Sequence, residues 1–156
     1  MVSNVKGYYV LLIYVKANTE ILVGKLGVKN FKKGYYVYTG SALGKGALSL
    51  GGRIRRHIRR QKTVKWHIDY LLSDENASVK AVMTSISEQK MECRINKRLK
   101  EVFHGQTPIM KFGASDCKEN CYSHLLYLGL IRNAADRIIK LLLHEVKGDI
   151  YVLRFC

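Results

Sequence analysis

Between Tyr38 and His57 the chain passes from a strand end, Tyr38-Thr39-Gly40-Ser41, through a glycine-rich turn into a helix reading Arg53-Ile54-Arg55-Arg56-His57-Ile58-Arg59-Arg60. That order puts a tyrosine, an arginine and a histidine within reach of one phosphate. The guanidinium is a planar fork of donors, suited to bidentate contact with a phosphate or a developing phosphorane. His57 follows Arg53 by one helical turn on the same face, where its ring could hydrogen-bond a tyrosine hydroxyl or a phosphate oxygen. The remaining cations, Arg55, Arg56, Arg59, Arg60, Lys62 and Lys65, read as phosphate-binding groups without a catalytic role. A second set of donors lies downstream. Cys93, Cys117, Cys121 and His124 include a Cys-x₃-Cys-x₂-His spacing tolerable for a tetrahedral zinc site, although buried thiols and a core-facing or capping histidine explain the same residues and are the preferred reading.

The elements that must carry these groups follow from hydrophobic periodicity. Tyr8 to Val15 is dense in β-branched and aromatic residues, and the polar turn Lys16–Glu20 leads to Ile21–Leu26, which reads as a hairpin. Tyr35 to Thr39 supplies a third strand of an N-terminal antiparallel meander, ended by Gly40. Leu50, Ile54 and Ile58 recur at helical spacing, which gathers Arg53, Arg56, His57 and Arg60 on a neighbouring face. Trp66–Leu72 forms a second short helix docked on the sheet, and Val79–Ser85 alternates as a strand. Met91, Ile95, Leu99 and Val102 mark a further helix, ended by Gly105 and Pro108. Leu125–Leu130 is short enough for a buried strand or a helix start. Asn133 caps a helix from Ala134 to Lys147 that stops at Gly148, and Ile150–Phe155 closes the chain as a strand. The expected class is therefore α+β, one domain over residues 1–156, with a small antiparallel sheet flanked by helices.

Composition narrows the partners. With 27 Lys and Arg against 12 Asp and Glu, the chain carries a formal charge of +15 over 156 residues. Such self-repulsion is most easily tolerated beside a polyanion, and nucleic acid is the leading one. No apolar run is long enough to span a bilayer, and no signal sequence is read at Met1-Val2-Ser3-Asn4. Four cysteines do not make a dense secreted framework, so reduced thiols in the cytoplasm, at the nucleoid if the source is prokaryotic, are the simpler expectation. Gly40-Ser41-Ala42-Leu43-Gly44-Lys45-Gly46 is not a nucleotide-binding P-loop, because its glycine spacing is short and Gly46 replaces the required Ser or Thr.

Gly7-Tyr8-Tyr9, Tyr38-Thr39-Gly40 and the arginine helix together resemble the GIY-YIG nuclease superfamily. In detail the chain is similar to its DUF123 branch, found alone or fused to endonuclease III. The likeness rests on Gly52-Arg53-Ile54-Arg55-Arg56-His57, Trp66-His67-Ile68-Asp69-Tyr70-Leu71-Leu72, Glu92-Cys93 and Phe112-Gly113-Ala114-Ser115-Asp116-Cys117. It covers Lys6 to about Tyr127, leaving residues 128–156 as a C-terminal extension, and it favours a strand at Leu125–Leu130. The resemblance implies a fold with an enlarged N-terminal hairpin region and an endonuclease that hydrolyses DNA phosphodiesters. Tyr9 and Tyr38 would line its site, one of them activating or orienting the attacking water. As a base near neutral pH, a tyrosine needs positive charge to lower its ordinary pKa of about 10. Arg53 takes the place of the catalytic arginine, with His57 beside it and His67 in support. Glu92 is the candidate for the single glutamate that holds one Mg²⁺ or Mn²⁺, with Glu88 as its competitor. The family's late asparagine has no clear counterpart, Asp116 or Asn120 being the nearest substitutes. The fusion suggests DNA repair or recombination and a repair-protein partner. A module that binds nucleic acid through the basic helix without cutting it, and a zinc-stabilised interaction protein, are the alternatives.

Overall fold

The computed structural model describes residues 4–114, 117–119 and 121–155. Its centre is β1 (Gly7–Val15), the middle strand of a five-stranded sheet ordered β6-β4-β1-β5-β7 and antiparallel throughout. The flanking strands are β4 (Gly34–Ala42), β5 (Ala77–Ile86), β6 (Leu125–Gly129) and β7 (Tyr151–Arg154). Because β1 has neighbours on both edges and helices over both faces, both parities of its side chains are buried. This is why its sequence is a continuous apolar run rather than an alternating one. Tyr9, Leu11, Ile13 and Val15 enter one core with α1 (Leu50–Ile58) and α2 (His67–Leu72). Tyr8, Val10 and Leu12 enter the other, beneath α3 (Glu92–Phe103) and α4 (Ala134–Glu145). The expected α+β class with helices around an antiparallel sheet holds.

Two expectations for the N-terminal strands fail. The segment after β1 does not fold back on it; β2 (Thr19–Leu22) pairs with β3 (Val28–Phe31) in a separate two-stranded sheet, and Gly24–Leu26 is a tight helical turn instead of strand. The partner of β1 is β4, from Gly7 opposite Ala42 to Val15 opposite Gly34. The chain is thus a β1–β4 hairpin whose connection holds a second hairpin, not a meander.

The helices differ from expectation mainly at their ends. Arg59 already has extended backbone, so Arg60 lies beyond α1 and not on its face. Val102 is exposed and adds nothing to the buried stripe of α3, which consists of Cys93, Ile95, Asn96 and Leu99. Asn133 occupies the N-cap position of α4 in a left-handed conformation without a side-chain cap, and the helix stops at Glu145, short of Lys147. The C-terminal strand pairs with β5 and extends the sheet at that edge. Among the described residues, no helix is long and apolar enough to cross a membrane.

Candidate functional site

The β1–β4 register decides where the two tyrosines point. Tyr9 stands opposite Gly40 and Tyr38 opposite Leu11, so both lie on the sheet face covered by α1. A Cβ on Gly40 would sit 2.4 Å from the Tyr9 ring carbon that bears the hydroxyl, so the missing side chain is the space into which Tyr9 packs. Tyr38 has the same relation to Gly113, where a Cβ would lie 2.7 Å from its ring and φ is +66°. On the helix side, Ser49 caps α1, its hydroxyl accepting from Gly52 N–H at 3.2 Å and donating to the Gly46 carbonyl at 2.6 Å. Leu50 and Ile54 bury the helix, and their face brings His57 inward as well.

His57 Nε2 lies 2.8 Å from the Tyr9 hydroxyl, and both side chains are buried. Burial, helped by the nearby Lys62, lowers the His57 pKa to about 3, so the ring is neutral at pH 7. Burial also raises Tyr9 to about 12, with Arg53 pulling down and Glu92 pushing up less strongly. The positive charge needed to make Tyr9 a base near neutrality is present as Arg53, but desolvation outweighs it. Tyr9 is therefore a protonated hydroxyl held by a neutral imidazole, a donor and a positioning group. Its ring is tilted on the His57 ring at 5.1 Å, and Tyr38 meets the same imidazole edge-on at 6.2 Å.

Trp66 organises the cations. The guanidinium of Arg53 lies 5.1 Å, that of Arg56 4.7 Å and the Lys65 ammonium 5.9 Å from its ring centre, within cation–π range. Arg56 also donates to Asp69 at 2.7 Å and to the Thr63 carbonyl at 2.6 Å. Asp69 is fully buried and accepts from the backbone N–H groups of Lys65 and Trp66, each at 2.9 Å. Burial opposes its ionisation, but these N–H donors and the guanidinium prevail and hold the carboxyl below its usual pKa. Arg60 ties down the Leu72 and Ala77 carbonyls, and Lys62 donates to the His57 carbonyl. Of the six cations read as phosphate binders, Arg56, Arg60 and Lys62 thus hold local structure, whereas the side chains of Arg55, Arg59 and Lys65, exposed as that of Arg60 also is, hold no carbonyl or carboxylate among the described residues.

Tyr9, Tyr38, Arg53 and Gly113 line two adjoining hollows. One is completed by Lys65, Trp66 and His67. His67 Nδ1 accepts from Gly113 N–H at 2.9 Å, which leaves the proton on Nε2 as a donor. The other is closed by Ser41, Glu92, Cys117 and His124. Glu92, in the first turn of α3, accepts a hydrogen bond from the Ser41 hydroxyl. Its competitor Glu88 is exposed, lies 3.5 Å from the Lys6 ammonium and lines neither hollow. The arrangement offers the cleft one guanidinium, two tyrosines, an imidazole N–H and a single carboxylate. Asp116 and Asn120 lie outside the described residues, as does Cys156.

Behind Glu92 the four thiol and imidazole donors converge. Cys93 Sγ lies 3.3 Å from Cys117 Sγ and 3.5 Å from His124 Nε2, and the ligand atoms of all four residues, Cys121 included, lie within 4.8 Å of one another. Separate burial of the thiols does not require this convergence. Three thiols and one imidazole grouped so closely can hold a metal ion, and the donor set is of zinc type.

Ser41, Asp69 and Gly113 also shape the site, although none of the three is among the candidate residues of the sequence. Asp69 carried a legible signal, an acid three residues into a helix that follows a dense run of cations. Ser41 and Gly113 carried none, because their importance comes only from the side chains that fold against them.

No curated protein and no solved structure matched the chain. The family model for DUF123, a domain of unknown function, matches residues 8–146, from β1 through α4. This chain, with its tyrosine–arginine cleft and its cluster of three cysteines and a histidine, belongs to the DUF123 family.

Proposed function

We propose that the chain is a divalent-metal-dependent endonuclease of GIY-YIG type that hydrolyses DNA phosphodiesters, in repair or recombination. The observation that carries this reading is the convergence of Tyr9, Tyr38, Arg53 and Glu92, drawn from two strands and two helices, on one cleft in a protein of net charge +15. Arg53 binds the scissile phosphate through its fork and gains strength as charge builds on the phosphorane. Trp66 holds that guanidinium in place. Tyr9 and the His67 Nε2–H donate to phosphate oxygens, which fits a tyrosine that keeps its proton.

Glu92 fits a hard cation. Its carboxylate has about four acceptor sites, of which Ser41 takes one, and Mg²⁺ commonly accepts only one or two protein carboxylates. When bound there, Mg²⁺ or Mn²⁺ would offset phosphorane charge and lower the pKa of a coordinated water. The test is incubation of labelled single-stranded, duplex, abasic and branched DNA, and RNA, with Mg²⁺ or Mn²⁺ and with chelator. Wild type should cut DNA only with metal, and Arg53→Ala should lower the rate by about 10²–10³. Cleavage that survives both Arg53→Ala and Glu92→Gln would sink the mechanism.

The exposed Arg55, Arg59 and Lys65 favour a second reading, a module that binds nucleic acid without cutting it. Salt-sensitive binding without cleavage under any metal condition would select it.

A further inference from the structure

We propose that Cys93, Cys117, Cys121 and His124 bind one structural zinc ion, and that this ion clips the β6 side of the cleft to α3, fixing the wall that carries Glu92 and Gly113. The site is independent of what the cleft acts on, so failure of either proposal leaves the other standing.

The spacing of the four ligand atoms fits zinc. Zinc–thiolate bonds of about 2.3 Å at tetrahedral angles place ligand atoms roughly 3.8 Å apart. The separations of 3.3 and 3.5 Å from Cys93, and the 4.8 Å limit on all pairs, bracket that value. An iron–sulfur cluster would have to fit between these sulfurs, and such contacts leave it no room. A disulfide would use two of the sulfurs and give no reason for the third and the imidazole to join them; Cys93, Cys117 and Cys121 are all free.

The four ligands come from three places in the chain. Cys93 comes from the first turn of α3, Cys117 and Cys121 from the connection after Gly113, and His124 from the residue before β6. Packing alone would not bring soft donors from three places to one point. Four protein ligands leave no open coordination position, which is the form of a structural rather than a catalytic zinc.

The surroundings tie the ion to the cleft. Cys93 directly follows Glu92, while Cys117 and His124 border the same hollow. The His124 backbone N–H donates to the Phe112 carbonyl at 2.9 Å, and its carbonyl accepts from Thr39 N–H at 3.1 Å. Asn96 of α3 donates to the Ser123 carbonyl at 2.7 Å. A metal bound at the four ligands closes this ring of contacts between α3, β4 and the chain entering β6.

The experiment is metal analysis of the full chain, produced with zinc in the medium and purified with a thiol reductant. One zinc per chain is expected, with loss of that zinc in Cys93→Ser/Cys121→Ser. Replacement by Co²⁺ should give the visible bands of a tetrahedral site and sulfur-to-cobalt charge transfer. His124→Cys should keep the metal and shift those bands, which separates ligation from simple misfolding of a cysteine variant. By amide exchange, chelation should expose Gly113 N–H while β1 stays protected. A folded chain without zinc or cobalt bands, stoichiometric iron in place of zinc, zinc retained by the double variant, or Gly113 exchange unchanged by chelation would each overturn the proposal.

Discussion

The Tyr9 hydroxyl and His57 Nε2, 2.8 Å apart in a buried contact, join the central strand to the arginine helix at the floor of the cleft. The histidine is neutral, and its Nδ1 has no hydrogen-bond partner among the described residues. A buried N–H without a partner costs more than a buried lone pair, so the favoured tautomer carries its proton on Nε2 and donates to Tyr9. The Tyr9 proton is then turned towards the cleft.

This burial makes stability depend on pH. The His57 pKa is about 3 in the folded chain and 6.5 in the unfolded one, so between these values the unfolded chain binds more protons. Stability is therefore unaffected by this group above pH 6.5 and falls as the pH drops towards 3, by up to about 1.4 kcal/mol per pH unit. Urea unfolding at several pH values should show this slope in wild type and a shallower one in His57→Phe. Equal slopes would mean that His57 is not buried neutral.

Gly40→Ala tests the packing of Tyr9, because the added methyl meets both its ring and its hydroxyl. The added methyl would meet the ring at 2.4 Å, and Tyr9 is only 1% exposed, so it has little room to swing away. Thermal unfolding should show a loss of about 1–3 kcal/mol, typical of an overpacked core. In a Tyr9→Leu background Gly40→Ala should cost less than it does in wild type. An equal cost in both backgrounds would place the clash elsewhere.

The elements were largely legible in the sequence, whereas their pairing was only partly so. The run from Tyr8 to Val15 signals a strand, but nothing local states that it lies between β4 and β5. Ile21 could pair with β1 or with a later strand, and tertiary packing chose β3. The spacing of Arg53 and His57 correctly placed a histidine where it could meet a tyrosine hydroxyl. It could not show that desolvation would outweigh Arg53 at Tyr9, because that balance depends on the cover supplied by distant residues. For the same reason Arg56, Arg60 and Lys62 read as freely solvated charges: the Asp69 carboxylate, the Ala77 carbonyl and the His57 carbonyl at the end of α1 captured them.

Asp69→Asn should destabilise the chain by about 2–4 kcal/mol, somewhat below the cost of breaking a fully buried pair, because Arg56 keeps partial access to solvent. The loss is that of the charge: Arg56 and the two backbone N–H groups all donate to one carboxylate oxygen, which the Asn amide oxygen replaces only as a weaker, neutral acceptor. Because the folded Asp69 pKa is lowered, this contribution is present above the unfolded value and fades as acid protonates the group. The difference between wild type and variant should therefore shrink in acid, as chemical denaturation at neutral and acid pH would reveal.

Nucleic-acid affinity should divide the six cations into two groups of different behaviour. Arg55, Arg59 and Lys65 are exposed, so replacing any of them with alanine should leave the fold intact. Removing each one that neutralises a phosphate should make the dependence of log affinity on log salt shallower by about 0.9 unit. Arg56, Arg60 and Lys62 already serve Asp69 or backbone carbonyls, so their alanine variants should lower stability first. Fluorescence anisotropy with duplex DNA over a salt series, read beside thermal unfolding, separates these effects. Salt slopes unchanged by Arg55→Ala, Arg59→Ala and Lys65→Ala would place the binding surface elsewhere on the protein.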